Sequence, residues 1–470
     1  MFFHLFKGRK AIPELEEARK KLRMGLVQEA IPLILTARTK SPGKMKAEVS
    51  FYLAVAYYML KDRAMTERAI MEVLEKSPPP HIIWRVTELI GNRCLSPDKY
   101  VNTHPSFSRD GRRILFASAR EDTNGSGGID AEDNRALYSI DRSGREEYQI
   151  ISNQFDNSYP SFSPDSRRVL FLSRRRATHR DGKIDRMDNA GIYLVDSDGK
   201  NERCLVPEVF PNKYPSFSPD GRKIVFTSGR GSCFGLYLYD LTTGKEYAID
   251  DKYDYTFPSF SPDGKLLLYA SWRRDTNGDG RIDIRDNSGI YVRNLEFSKE
   301  WVVASDRYNN SFPVFSSDGR KILYLSRRRD TNGDGKIDSM DNCGIYCCNL
   351  DGSDEQCIVG DEYYNKFASW SPDNSRIAFL SSKRGEEEPY GERSFFENKA
   401  IYTITMDGRE EKLLVSARYQ GNKFPLFSPV HDEVVYLSWR GQSNRGLYLV
   451  SARQLPSKEE IRGILKNLSF

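Results

Sequence analysis

The spacing of hydrophobic and polar residues changes near residue 90. Before that point, apolar residues recur at helical intervals in segments 15–23, 27–39, 47–60 and 66–75, which predicts four helices. After it, runs of four to six apolar or alternating residues stand between Gly, Asp and Pro, as expected of short strands. We therefore predict a helical region at 1–91, a β domain at 92–456 and a closing amphipathic helix at 457–470.

The β domain is a tandem repeat. A phrase related to Pro-Ser-Phe-Ser opens seven copies, at Pro105, Pro160, Pro215, Pro258, Pro313, Ala368 and Pro425. One interval is 43 residues and the other five are 55 to 57 residues. A period near 43 with four short strands per copy is typical of a propeller blade. The sequence thus predicts a mainly β fold, a seven-bladed β-propeller with a small α-helical N-terminal domain.

The two ends of the array predict how the ring closes. The seventh copy stops after its third strand, whereas Arg93-Cys94-Leu95-Ser96 echoes Arg203-Cys204-Leu205-Val206, the fourth strand of copy two. A strand at 93–96 is therefore expected to complete the last blade and to remove its open edge.

These repeats resemble those of the TolB-like propeller family, whose repeat runs PxWSPDGxxIxFxSxR. The resemblance covers roughly residues 93–455 and implies the fold, but it says little about function. The helical region resembles a tetratricopeptide array, because Ser41-Pro42 and Ser77-Pro78 lie 36 residues apart. Such helices could form a groove for a peptide or a small cap, and the sequence leaves both open.

Two copies carry nearly identical twelve-residue insertions, DTNGDGRIDIRD at 275–286 and DTNGDGKIDSMD at 330–341. Oxygen-bearing side chains at positions 1, 3, 5, 9 and 12, with the carbonyl of position 7, are typical of a calcium loop of the EF-hand or dockerin kind. The predicted ligands in copy four are Asp275, Asn277, Asp279, Arg281 (carbonyl), Asp283 and Asp286. Those in copy five are Asp330, Asn332, Asp334, Lys336 (carbonyl), Asp338 and Asp341.

Two further insertions are weaker versions of the same loop. Copy one offers Asp122, Asn124, Ser126, Gly128 (carbonyl), Asp130 and Asp133. Copy two offers only Asp181, Asp185 and Asp188. The ligand count favours Ca²⁺ in copies four and five first and in copy one next, and it leaves copy two open. The alternative is that these are Asp- and Gly-rich turns that need no ion.

All four insertions join the second and third strands of their blades and should project from one face. Copy six has another insertion there, residues 385–399. Near this face we expect a row of cations, one per copy: Arg120, Arg175, Arg230, Arg273, Arg328, Lys383 and Arg440. They could bind an anionic ligand, but pairing within each blade is the favoured interpretation.

Motifs and composition narrow the function. No HExxH or GxSxG occurs and the five histidines share no spacing, so we expect the chain not to be an enzyme. The favoured function is a calcium-stabilised scaffold that binds a protein partner through the inserted face, the helical region or both. The alternative is a carbohydrate or small-ligand binding module, and a metal-dependent lyase is the least favoured.

Charge and targeting signals set looser limits. With 71 basic and 66 acidic residues, the net charge of +5 does not indicate a nucleic-acid partner. No transmembrane segment and no secretory signal are recognised, which favours the cytoplasm. Weak calcium loops are more useful where calcium is plentiful, which favours the periplasm or the cell exterior instead. The oligomeric state is left open.

Overall fold

The protein has a helical N-terminal part and a propeller. The computed structural model describes residues 12–24, 26–41, 46–60, 62–75, 92–97, 99–179, 184, 187–338, 340–383, 399–415, 421–438 and 445–452. The predicted C-terminal helix, most of the copy-six insertion, Arg440, Asp181 and Asp185 lie outside these residues. Among the described helices, none combines the length and the hydropathy needed to cross a membrane.

The described residues of the N-terminal part form four helices, as predicted: α1 (Pro13–Arg23), α2 (Val27–Lys40), α3 (Lys46–Met59) and α4 (Arg63–Glu75). Ala30, Ile34 and Ala37 of α2 are fully buried, and their spacing of four and three residues gives α2 one apolar face. Buried Arg19 of α1 pairs with buried Glu48 of α3, so neither charge is left alone in the core. The likeness to tetratricopeptide repeats stays a prediction.

The propeller has seven four-stranded antiparallel blades, which confirms the predicted fold class. Blade one is β2 (Val101–Phe107), β3 (Arg113–Ala119), β4 (Ala136–Asp141) and β5 (Glu147–Ile151), and blade two is β6 (Asp156–Phe162), β7 (Arg168–Arg174), β8 (Gly191–Asp196) and β9 (Arg203–Val206). Blade three is β10 (Asn212–Phe217), β11 (Lys223–Ser228), β12 (Gly235–Asp240) and β13 (Lys245–Asp250), and blade four is β14 (Asp254–Phe260), β15 (Leu266–Trp272), β16 (Gly289–Asn294) and β17 (Glu300–Ala304). Blade five is β18 (Asn309–Phe315), β19 (Lys321–Arg327), β20 (Gly344–Asn349) and β21 (Gln356–Val359), and blade six is β22 (Asn365–Trp370), β23 (Arg376–Ser381), β24 (Ala400–Thr405) and β25 (Glu411–Val415).

Blade seven closes the ring. It contains β26 (Lys423–Phe427), β27 (Glu433–Ser438) and β28 (Gly446–Ser451), and the N-terminal strand β1 (Asn92–Ser96) is hydrogen-bonded to β28 as its fourth strand. The predicted closure is therefore observed. An ion pair between Arg142 of blade one and Glu433 of blade seven, 2.8 Å apart, adds a second link.

The core of each blade is a repeated aromatic pair. A fully buried aromatic residue of the second strand stacks on a tyrosine of the third, with ring centroids 5.6 to 6.3 Å apart. The pairs are Phe116–Tyr138, Phe171–Tyr193, Phe226–Tyr237, Tyr269–Tyr291, Tyr324–Tyr346, Phe379–Tyr402 and Tyr436–Tyr448. In blades one to six the same tyrosine also lies against the cation that follows the second strand, whose charged centre is 3.6 to 6.0 Å from the ring centroid.

Candidate functional site

The described cations of the predicted row form ion pairs with glutamates of their own blades. The Arg120 guanidinium donates to both carboxylate oxygens of Glu147 at 2.6 and 2.8 Å and lies 3.6 Å from the Tyr138 ring centroid. Its Nε also donates to Ser118 at 3.2 Å. The equivalent pairs are Arg175–Glu202, Arg230–Glu246, Arg273–Glu300, Arg328–Glu355 and Lys383–Glu411. Pairing within each blade is therefore confirmed for these six positions.

The pair of Arg273 and Glu300 also changes the pKa of the glutamate. Burial acts to raise the pKa of Glu300, but hydrogen bonds from Arg273 and Tyr269 outweigh it, so the pKa lies below its usual value. Glu300 is thus a fixed carboxylate that holds its blade together, and Arg273 is already neutralised by it.

The loops of blades four and five are organised by their first residue. Asp275 accepts hydrogen bonds from the backbone N–H groups of Gly278 at 2.6 Å and Gly280 at 2.8 Å. Both glycines have positive φ, +77° and +83°, which other residues adopt only with strain. The loop of blade five repeats this arrangement around Asp330, with Gly333 and Gly335.

The loop of blade one has the same shape with different donors. Asp122 accepts from the N–H groups of Ser126 at 3.0 Å and Gly127 at 2.8 Å. Asp130 at position 9 accepts from Asn124 and Ser126, both at 3.1 Å. The replacement of a carboxylate by Ser126 therefore leaves the turn intact.

The last aspartate of each loop has a role that the sequence did not reveal. Asp286 is buried and accepts from the N–H groups of Thr276 at 2.7 Å, Asn277 at 3.1 Å and Asp283 at 2.9 Å, so it ties the start of the loop to its end. Burial acts to raise its pKa, but these backbone hydrogen bonds together lower it. Asp133, Asp188 and Asp341 do the same with Thr123, Thr178 and Thr331. The signal was the threonine at position 2 of all four insertions.

The structure does not test the calcium prediction. Within the described part of the chain, no group of three or more His, Cys, Asp or Glu side chains converges closely enough to hold a metal ion. The chemistry of the donors fits Ca²⁺, since every candidate donor in blades one, four and five is an oxygen. Asp275, Asn277 and Asp279 are exposed, whereas Asp286 is buried in its backbone hydrogen bonds. The sites stay a prediction.

The same loops expose large apolar side chains. Ile284 is 73% exposed and Met340 is 58% exposed, on the neighbouring blades four and five. The others on these loops and on the loop of blade two are Ile184, Met187, Ile282 and Ile337. All six lie on connections between the second and third strands of their blades.

A ring of aromatic side chains surrounds the central channel, and sequence reasoning missed it. One residue from each innermost strand belongs to it: His104, Tyr159, Tyr214, Phe257, Phe312, Phe367 and Phe424. Six of the seven neighbouring pairs have ring centroids 3.8 to 5.9 Å apart. The signal was local, because in every copy the residue before the repeat phrase is aromatic or His.

The ring is held in strained backbone. All seven residues have φ between 51° and 54°, and the pairing of each innermost strand with its neighbour shifts register at the same place. A non-glycine residue in this region costs about 1 kcal/mol or more, and such strain tends to persist where function requires it. A cavity of about 530 Å³ lies on the side of the Ser-Pro-Asp-Gly turns. Its lining includes Ser106, Phe107, Ser161, Phe162, Ser216 and Phe217.

Comparisons with known proteins give the fold a context. No family model matches this chain. Over 60 residues, 13% of its length, the chain is 35% identical to the Tol-Pal system protein TolB of Coxiella burnetii. The chain covers only 14% of the length of that relative. The resemblance to TolB is thus supported for a short segment.

Two solved structures share the propeller fold. An oligogalacturonate lyase from Vibrio parahaemolyticus superposes with a TM-score of 0.55 at 14% identity, over 77% of this chain and 94% of that one. A puromycin-hydrolysing peptidase from Mycobacterium tuberculosis gives 0.53 at 12% identity, over 77% and 55%. At these identities the likeness shows the fold alone.

These neighbours correct one expectation. The inference that the chain is not an enzyme is wrong, because proteins named as a lyase and a peptidase have the same fold. Catalytic groups in a ring of blades can come from different blades without any shared sequence spacing, so the missing HExxH and GxSxG motifs exclude nothing here.

Proposed function

We propose that this protein is an interaction scaffold in which Ca²⁺ fixes the loops of blades one, four and five so that their face binds a protein partner. The observation that carries the proposal is the coincidence of turn-forming acidic loops with exposed apolar residues. Ile284 follows Asp283 directly, and Met340 precedes Asp341 directly, so fixing the loop also fixes the contact residue.

Calcium would be held by the oxygens of positions 1, 3, 5, 7 and 9, with position 12 closing the loop. When bound, the ion supplies a positive centre that neutralises neighbouring carboxylates. The chain supplies the shape, because Asp275 and Asp330 already turn their loops through glycine N–H groups. A loop fixed before binding loses less conformational entropy when the partner arrives, which strengthens the complex.

The partner surface would be apolar at its centre and polar at its edge. Ile284 and Met340 supply apolar area. Exposed Arg274 and Arg329 immediately precede the same two loops and are paired with Asp306 and Asp361. An apolar centre surrounded by polar groups is the usual composition of a protein interface. The six cations paired within their blades are not needed for it.

The test compares two residues of equal exposure on opposite faces. Phe297 is also 73% exposed, but it lies in the turn between β16 and β17, on the side of the Ser-Pro-Asp-Gly turns. Full-length protein with a photo-crosslinker on blade four or five is used to capture its native partner, with and without a chelator. Ile284→Asp and the chelator should each reduce capture at least about tenfold, whereas Phe297→Asp should leave it unchanged.

Equal capture by Ile284→Asp and the native chain would refute the partner surface. Capture that Ile284→Asp abolishes but the chelator does not would retain the surface and refute the role of Ca²⁺.

A further inference from the structure

Four cations gather where blades six and seven meet the channel. Lys366 on β22 and Lys423 on β26 occupy the same position on neighbouring innermost strands, each immediately before a member of the aromatic ring. Lys399 and Arg445 stand immediately before β24 and β28, the third strands of these two blades. Both pairs of positions lie on the inserted side of the ring.

Ring contacts and the mutual effects of their charges show that these residues lie close together. The Tyr364 ring lies against two of them, with its centroid 4.4 Å from Lys399 Nζ and 5.5 Å from Lys366 Nζ. Asn422, the neighbour of Lys423, donates through Nδ2 to the Lys399 carbonyl at 2.7 Å. The Arg445 carbonyl accepts from Asn102 at 2.8 Å.

The cluster has no counterpart in the other blades. The position of Lys366 and Lys423 is held by Thr103, Ser158, Lys213, Thr256 and Ser311 elsewhere, and that of Lys399 and Arg445 by Arg135, Ala190, Phe234, Ser288 and Cys343. At the two other blades that have a cation at one of these positions, an aspartate lies close to it. Arg135 binds Asp156 through two contacts of 2.6 Å, and Asp254 acts on Lys213.

The three lysines of blades six and seven differ from these cations. Among the described residues, none of Lys366, Lys399 and Lys423 forms an ion pair. Burial and then the charges of Lys366 and Lys423 lower the pKa of Lys399 to about 8. Burial, followed by Arg445 and Lys366, also lowers the pKa of Lys423. Half-buried charges of one sign destabilise a fold unless an anion neutralises them.

We propose that blades six and seven form an anion-binding site at the inserted mouth of the channel, which takes a small carboxylate carried on a sugar or aromatic ring. Lys366, Lys399 and Lys423 donate to the carboxylate oxygens. Phe367 and Phe424, whose ring centroids are 4.6 Å apart, offer an apolar surface to the ring of the ligand. Charge-assisted hydrogen bonds of this kind are stronger than neutral ones, and a site lined by aromatic groups with a few convergent charges is typical of ligand pockets.

This site is independent of the calcium loops and of the proposed partner surface. Its test uses the full chain in a low-salt buffer with a chelator, with glucuronate and benzoate as probes and glucose and benzyl alcohol as neutral controls. Binding is measured by calorimetry and by the rise in melting temperature. Lys399→Met and Lys423→Met keep the aliphatic stems and should each weaken carboxylate binding at least about tenfold. Lys213→Met, at the same strand position in blade three, should leave it unchanged.

If the lysine variants do not fold, the proposal can still be tested on the native chain by chemical modification of Lys399. Since its pKa is about 8, Lys399 should acylate readily at neutral pH, and a bound carboxylate should protect it. Binding of neither carboxylate, equal binding by Lys399→Met, or equal binding of glucose and glucuronate would each overturn the proposal. Inorganic phosphate that binds where both carboxylates fail would also overturn the ligand class.

Discussion

Removing the first predicted ligand of the two strongest candidate calcium loops is the most informative perturbation. In Asp275→Ala with Asp330→Ala, each substitution deletes a carboxylate that accepts two backbone N–H groups. Hydrogen bonds contribute about 1 kcal/mol each, so the variant should lose on the order of 2–4 kcal/mol of stability even without calcium. The calcium effect must therefore be measured as a difference, with and without the ion.

The size of that difference follows from binding. An ion at 100 times its dissociation constant stabilises the folded state by about 2.7 kcal/mol per site, or about 5 kcal/mol for two sites. The propeller spans roughly 360 residues from β1 to β28, and about 2.1 cal/mol/K per residue gives an unfolding entropy of roughly 0.8 kcal/mol/K. Two sites should thus raise the melting temperature by roughly 7 °C, and the blade-one site by roughly 3 °C more.

Differential scanning calorimetry with calcium or with a chelator measures these shifts. The native chain should gain roughly 10 °C with calcium, and the double variant only about 3 °C. Asp188→Ala is the matched control, because Asp188 ties its loop through Thr178 while positions 1 and 3 of that loop are Ala177 and His179. It should lower the melting temperature without changing the calcium response. A double variant that keeps the full response would refute the assigned ligands.

Two further predictions concern closure and charge. Leu95→Ala removes a buried side chain of β1 that packs between blades one and seven, and it should lower the free energy of unfolding, measured in urea, by about 2–5 kcal/mol. The control Leu26→Ala, at an exposed position, should lower it by less than about 0.5 kcal/mol. An equally small loss for Leu95→Ala would contradict closure by β1. The Lys399 pKa of about 8 lies below its ordinary 10.5, so the unfolded chain binds more protons between these values and stability should rise with pH there. Lys399→Met should remove on the order of 1–3 kcal/mol of that rise, and an identical pH dependence in both proteins would rule out a lowered pKa.

Sequence alone determined the local architecture of this protein. Short apolar runs between Asp-Gly and Pro turns specify strands, and the seven copies specify seven blades, because each blade is built from consecutive residues. The shape of the calcium-type loops was also local, since Asp275 reaches only as far as Gly280. The aromatic members of the channel ring could be located in every copy, although their convergence could not.

Tertiary structure decided which distant residues meet. Arg120 finds Glu147 through the register of three strands, and β1 finds β28 only when the ring closes. Lys366, Lys399 and Lys423 are spread over 58 residues. They gather because β22 and β26 are neighbouring innermost strands and Lys399 stands at the same end of blade six, just before its third strand. The expectation that the chain is not an enzyme was wrong because it relied on residue spacing alone. Residue spacing controls contacts within a turn or a hairpin, whereas chemistry assembled from several blades depends on blade order and ring closure, which leave no fixed interval in the sequence.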